Sequence, residues 1–173
     1  MKRQIGLWQL VGFGVTALGG TILHFLYGWL GDAVWIAPFS AVNESTWEHM
    51  KILFWPMLIY AMIEGFFFRD KENFWCVKAR GILLGISLIP VLFYTYNGVI
   101  GKSPDWINIV IFFVTAAVVY LYETVQFSHD MPCKHRGLAI AALSTLVLIF
   151  TVFTFLTPEI GIFRDPLTGS YGI

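Results

Sequence analysis

Residues 138–157 read L-A-I-A-A-L-S-T-L-V-L-I-F-T-V-F-T-F-L-T, a stretch without a single ionisable side chain. At about 1.5 Å of rise per residue, a helix of that length covers roughly 30 Å, the thickness of a bilayer's hydrocarbon core. The run is therefore read as a membrane span. Working outward from it, four more stretches meet the same test, at residues 5–30, 47–68, 81–100 and 106–127. The fold class that follows is all-α: one integral membrane domain over residues 1–173, a polytopic bundle of five transmembrane helices. Lys2 and Arg3 precede the first span as in a signal peptide, but its apolar run is too long for one, so it is read as a retained helix.

Composition agrees. Hydrophobic residues make up 57% of the chain and charged residues 13%, against about 25% charged in soluble domains. Mean hydropathy is +0.71. The net charge is zero, which gives no field for a nucleic-acid partner; the bilayer itself is the expected partner.

Local chemistry marks several boundaries. Ser45-Thr46-Trp47-Glu48 has the S-x-x-E form of a capping box and starts the second helix. Ser103-Pro104-Asp105 offers an N-cap followed by proline at the first helical position. Pro158 stands where the fifth helix should stop.

Alternating the spans puts Lys2, Arg3, Arg69, Lys71, Lys78, Arg80, Lys134 and Arg136 on one side, and Lys51, Lys102 and Arg164 on the other. The positive-inside rule then places the N-terminus in the cytoplasm and the C-terminus outside, in a cytoplasmic membrane. Cys76 and Cys133 fall on the cytoplasmic side, where thiols are expected to stay reduced. His129, Cys133 and His135 read as a solvated basic loop. Five helices do not divide into equal inverted halves; a homodimer would supply the symmetry that an internal duplication supplies elsewhere.

Ionisable residues within the spans gather in two layers, and because they are costly in lipid they point to function. The outer layer centres on Asn43–Lys51, where Glu44, Glu48, His49 and Lys51 crowd one turn. His24 lies at similar depth on the first span, on a stripe with Gly12, Thr16, Gly20 and Gly28 that turns it toward another helix. Tyr94, Tyr96 and Asn97 reach the same level from the third span. His24, His49 and Glu48 form a candidate set for a divalent metal such as Zn²⁺, with Glu44 or Asp165 as substitutes for Glu48. Glu48 and His49 point about 100° apart on a helix, so both cannot be assumed to face His24. A bland reading stands beside this: Glu48 completes the capping box and Lys51 pairs with it. The apolar segment Ala33–Val42, too short to cross, is expected to lie over the layer, joined by the C-terminal turn around Asp165.

Three of these stretches, N-E-S-T-W-E-H-M-K (Asn43–Lys51), Y-T-Y-N-G (Tyr94–Gly98) and D-P-L-T-G-S-Y-G (Asp165–Gly172), resemble an uncharacterised family of small multipass bacterial membrane proteins. The resemblance spans nearly the whole chain. It implies a bacterial cytoplasmic membrane and carries no established activity.

The inner layer holds Glu64 and Glu123, near the cytoplasmic ends of the second and fourth spans, with Tyr60 and Tyr120 beside them. Two readings apply: each glutamate pairs with Arg69, Lys78 or Arg80, or the two carboxylates carry protons or a cation. For the chain as a whole, the leading expectation is transport or binding of a cation or small molecule. The alternatives are a metal-dependent hydrolase of lipid or envelope substrates, and a non-catalytic membrane subunit.

Overall fold

The computed structural model describes residues 2–68, 70–101, 104–129 and 132–173. Arg69 and Lys102, counted among the basic residues, and Ser103, the expected cap of the fourth helix, lie outside the described residues.

Five helices follow one another: α1 (Lys2–Trp29), α2 (Thr46–Phe67), α3 (Phe74–Ile100), α4 (Asp105–Ser128) and α5 (Arg136–Phe155). A single 3-10 turn follows at Gly161–Phe163. All five helices are long and apolar enough to cross a membrane. Helix α1 packs on α2 and α4, and α3 packs on the same two, so these four close into a ring; α5 leans on α3 from outside. Helix α2 is the enclosed one, with 67% of its apolar window buried against 17% for α1 and for α5. The faces left bare, with Leu10, Leu18, Phe66, Leu121 and Leu148 exposed, form the apolar surface that lipid covers.

Small residues on α1 set the approach of its neighbours. A side chain at Gly12 would collide with the rings of Tyr60 and Tyr120, and one at Gly20 with Phe112. Between them Thr16, fully buried, shares a 2.7 Å hydrogen bond with the Tyr120 hydroxyl. The stripe thus faces α2 and α4 for most of its length and fades at Gly28, which is exposed. Pro56 stays inside α2, its ring seated opposite Gly19 of α1.

Two helix starts and one cap contact differ from the sequence reading. Helix α3 begins at Phe74 rather than Gly81, because Lys78 is a buried member of the helix and not part of a solvated loop. At α4, Pro104 occupies the N-cap and the helix starts at Asp105. At α2, the Ser45 hydroxyl accepts from the Glu48 backbone N–H as a capping box requires, but the Glu48 carboxylate reaches past the cap to the N–H of Val42.

Cys76 and Cys133, expected as two reduced thiols, are joined in a disulfide that ties the first turn of α3 to the α4–α5 connection. Their Cα atoms stand 5.8 Å apart, within the ordinary range for a bridge. The expectation came from a compartment rule, which says nothing about which thiols the fold brings together.

Ala33–Val42 lies over the Glu48–Lys51 part of the outer layer and does not line the cavity beside His24. It tucks against the ends of α1 and α2, held by Lys51 Nζ on Ala37 O at 2.8 Å and Trp55 Nε1 on Pro38 O at 2.8 Å. The Ser40 hydroxyl accepts from Tyr27 N, and Ala41 N donates to Leu23 O. The C-terminus folds back over this end as expected: Arg164 pairs with Tyr171 across a short turn, Phe163 is buried against Trp47, and Asn43 Nδ2 donates to Gly172 O at 3.0 Å.

Candidate metal site and its pocket

The turn before α2 places Glu44. Asn43 Oδ1 accepts from Ser45 N at 2.9 Å while its amide holds Gly172, so the backbone around Glu44 is fixed from both sides. Ser45 then caps α2 and brings His49, one turn on, beneath Glu44. From α1, His24 arrives on the buried stripe. The result is a half-buried cluster: His24 Nε2 lies 3.5 Å and His49 Nε2 3.7 Å from Glu44 Oε2, with the two imidazole centroids 5.4 Å apart.

His49 has a defined orientation. Its Nδ1 lies 2.9 Å from the Ser45 carbonyl oxygen, which can only accept, so Nδ1 carries the proton and Nε2 offers its lone pair toward Glu44 and His24. A backbone carbonyl on the remote nitrogen is the usual outer-shell support of a metal-ligating histidine. The hydrogen bond from His24 holds the Glu44 carboxyl below its ordinary range, against the opposing effect of its partial burial. Glu44 is therefore an anion at neutral pH.

The three donor atoms lie within 4.8 Å of one another. Around a tetrahedral zinc ion with bonds of about 2.0–2.1 Å, neighbouring ligand atoms are separated by roughly 3.3 Å. The observed 3.5 and 3.7 Å sit close to that spacing. Two imidazoles and one carboxylate fit a borderline-soft divalent ion, and three protein ligands leave a fourth position free.

That position borders a cavity of about 570 Å³. Its wall is mostly apolar, with Gly20, Phe25, Ile52, Phe93, Phe112 and Leu167, and its polar points are Thr21, His24, Glu44, His49, Asn97 and Asn108. Pro166 and Leu167 close one side, so the C-terminal turn contributes to the wall that Ala33–Val42 was expected to form.

The remaining residues singled out in the sequence divide. Glu48 takes no part in the cluster: 3% exposed, it pairs with Lys51 Nζ at 2.5 Å on another face of α2. Lys51, fully buried, also donates to Thr154 of α5 at 3.2 Å, so the pair joins α2, α5 and the Ala33–Val42 segment. The metal set expected from sequence, His24, His49 and Glu48, thus becomes His24, His49 and Glu44. Asp165 is buried and turned inward on its own loop, accepting from Leu167 N at 2.7 Å. Tyr94 donates to Gly161 O at 3.1 Å from an exposed position, and Tyr96 does not line the cavity. Asn97 does line it, its amide also donating to Phe93 O.

Asn108 was missed. Its Oδ1 is buried without a hydrogen-bond partner among the described residues, and it faces the cavity from the first turn of α4. The signal was available: a lone amide in an apolar run, at the depth already assigned to His24.

The fold and the site together define a class, a five-helix membrane protein with a His₂Glu cluster beside an apolar cavity. The chain belongs, over residues 1–173, to a family of unknown function, DUF6512. No curated protein and no solved structure matches it.

Proposed function

We propose that this protein binds a zinc-type divalent cation through His24, Glu44 and His49 and seats a mainly apolar ligand in the adjoining cavity. The observation that carries this reading is the convergence of three ligand atoms, two of their separations at 3.5 and 3.7 Å and all within 4.8 Å, on the wall of a 570 Å³ cavity. An ion with three protein ligands keeps one position for water or substrate, the arrangement of catalytic rather than structural zinc sites. The cavity supports metal-dependent hydrolysis of an acyl-bearing or similarly apolar substrate, with Asn97 and Asn108 as orienting amides. Cation transport, the other reading of these residues, needs a passage past Thr16, Tyr60 and Tyr120. Those three are buried and packed together between the two polar layers, which supports a site over a path.

The test is metal analysis of the protein purified in detergent, followed by zinc titration after chelator stripping. Wild type should carry near-stoichiometric metal; His24→Ala, His49→Ala and Glu44→Gln should each weaken zinc binding beyond the roughly 10–100-fold that outer-shell changes cost. Glu48→Gln should bind as wild type. Zinc binding that is absent in wild type, or equally weakened by Glu48→Gln, overturns the assignment.

We further place the His24 end on the extracytoplasmic side of a cytoplasmic membrane, from the distribution of basic residues, seven to two once the buried Lys78 and Lys51 are set aside. The Cys76–Cys133 disulfide lies at the opposite end, and disulfides persist in oxidising compartments, so the two rules point opposite ways there. A phosphatase reporter fused to the C-terminus should be active in whole cells; an inactive reporter beside an active cytoplasmic one inverts the bundle.

A further inference from the structure

At the other end of the bundle, Lys78 of α3 lies between two carboxylates, Glu64 Oε2 of α2 at 2.5 Å and Glu123 Oε2 of α4 at 2.6 Å. Gln9 of α1 completes the group: its amide donates to Glu64 Oε1 at 2.6 Å and its oxygen receives Lys78 at 3.4 Å. All four side chains are at least 98% buried. The rings of Tyr60, Phe74, Tyr120 and Phe127 surround the ammonium at 5.5–5.9 Å.

Lys78 donates to Glu123 and Gln9 and meets Glu64 Oε2 as an ion pair. Glu64 Oε1 accepts from Gln9, while Glu64 Oε2 has Lys78 beside it without a hydrogen bond. Glu123 Oε1, fully enclosed, also has no hydrogen-bond partner among the described residues, and it is not the oxygen that meets Lys78. It rests against Gly81 of α3, where a side chain would strike it.

The other polar groups facing the cluster are committed elsewhere. Tyr60 of α2 donates to Trp8 O, Tyr120 of α4 bonds Thr16 of α1, and Lys71 in the α2–α3 connection donates to Phe127 O. Arg80 of α3 is exposed. Two carboxylates against one ammonium leave an unbalanced negative charge, which a low-dielectric interior strongly disfavours. Like-charged carboxyls sharing a site resolve this by keeping one proton.

We infer that Gln9, Glu64, Lys78 and Glu123 form a proton-binding site, independent of the metal cluster, that holds one exchangeable proton on the carboxyl pair with Glu123 Oε1 as its seat. Neutralising Glu123 leaves a balanced Glu64–Lys78 pair. The site lies about 22 Å along α1 from His24, taking Gln9 as its level and about 1.5 Å of rise per residue. Lys78 is one turn inside the start of α3, so the proton exchanges with water at that end of the bundle.

The experiment is infrared difference spectroscopy on protein reconstituted in liposomes, near pH 7, in ordinary and heavy water. The expected result is a neutral-carboxyl C=O band, shifted down by deuteration, indifferent to replacing sodium with choline, and removed by both Glu123→Gln and Glu64→Gln. Glu48→Gln, which alters a carboxylate already balanced by Lys51, should leave the band. A wild-type spectrum without a neutral-carboxyl band near pH 7 overturns the site, as does a band that vanishes with sodium or survives both glutamine variants. The wild-type band and its sodium response need no variant, so poor folding of either glutamine variant leaves the proposal falsifiable.

Discussion

The two polar layers of this bundle contain similar residues and differ in what surrounds them. At the His24 end, two imidazoles and a carboxylate are half-buried and border a cavity, with one ligand atom of each within 4.8 Å of the others. At the Lys78 end, two carboxylates and an ammonium are sealed beneath four aromatic rings. The first group gathers metal-ligand atoms on a cavity wall; the second has its own cation and one acidic group more than that cation balances. Access makes the first suited to an ion or ligand from outside. Enclosure restricts the second to something as small as a proton.

The largest expected effect breaks the enclosed layer. Lys78→Met leaves Glu64 and Glu123 facing each other without their cation. Removing one partner from a buried ion pair costs on the order of 3–5 kcal/mol, and because Lys78 serves both carboxyl groups the loss should fall near the upper end. Thermal unfolding followed by tryptophan fluorescence in detergent measures it. The sign of the pH dependence follows from linkage: acidification protonates both carboxyls, so the deficit relative to wild type should shrink as pH falls. A variant as stable as wild type at every pH would mean that the two glutamates do not depend on Lys78. His24→Ala, by contrast, removes a half-exposed group and should shift the melting point little while abolishing metal binding.

How far sequence alone reaches depends on which constraint a residue obeys. The five spans were legible because lipid forces runs of about 20 apolar residues, a requirement that needs no partner. The start of α3 was not, because Lys78 and Arg80 look alike in sequence and only packing separates the buried one from the exposed one. The direction of His24 could be read from its four-residue stripe with Gly12, Thr16 and Gly20. The choice between Glu44 and Glu48 could not, since it turns on Lys51, which draws Glu48 to the other side of α2 through contacts with Ala37 and Thr154. Gln9 carried no signal at all: a neutral amide near the start of a span reads as interface until Glu64 and Lys78 are seen to meet it.

The Glu48–Lys51 pair supplies the sharper, smaller test of the same contrast. It stands within two turns of the α2 start, at the His24 end of the bundle, yet it is built like the enclosed layer: both side chains buried and charges matched one to one. Lys51→Met strands a single carboxylate, and Glu48 keeps its hydrogen bond from Val42 N at 3.0 Å. The loss should therefore be about 3 kcal/mol, the low end of the range for a broken buried pair and less than for Lys78→Met. Limited proteolysis should report the loss in the Ala33–Val42 segment first, because Lys51 Nζ is one of the bonds that hold it. Zinc affinity should stay within a few-fold of wild type, since neither residue of the pair belongs to the His24–Glu44–His49 cluster. Weaker zinc binding than His24→Ala, in a Lys51→Met protein that still folds, would dissolve the division between a site that binds and a pair that braces.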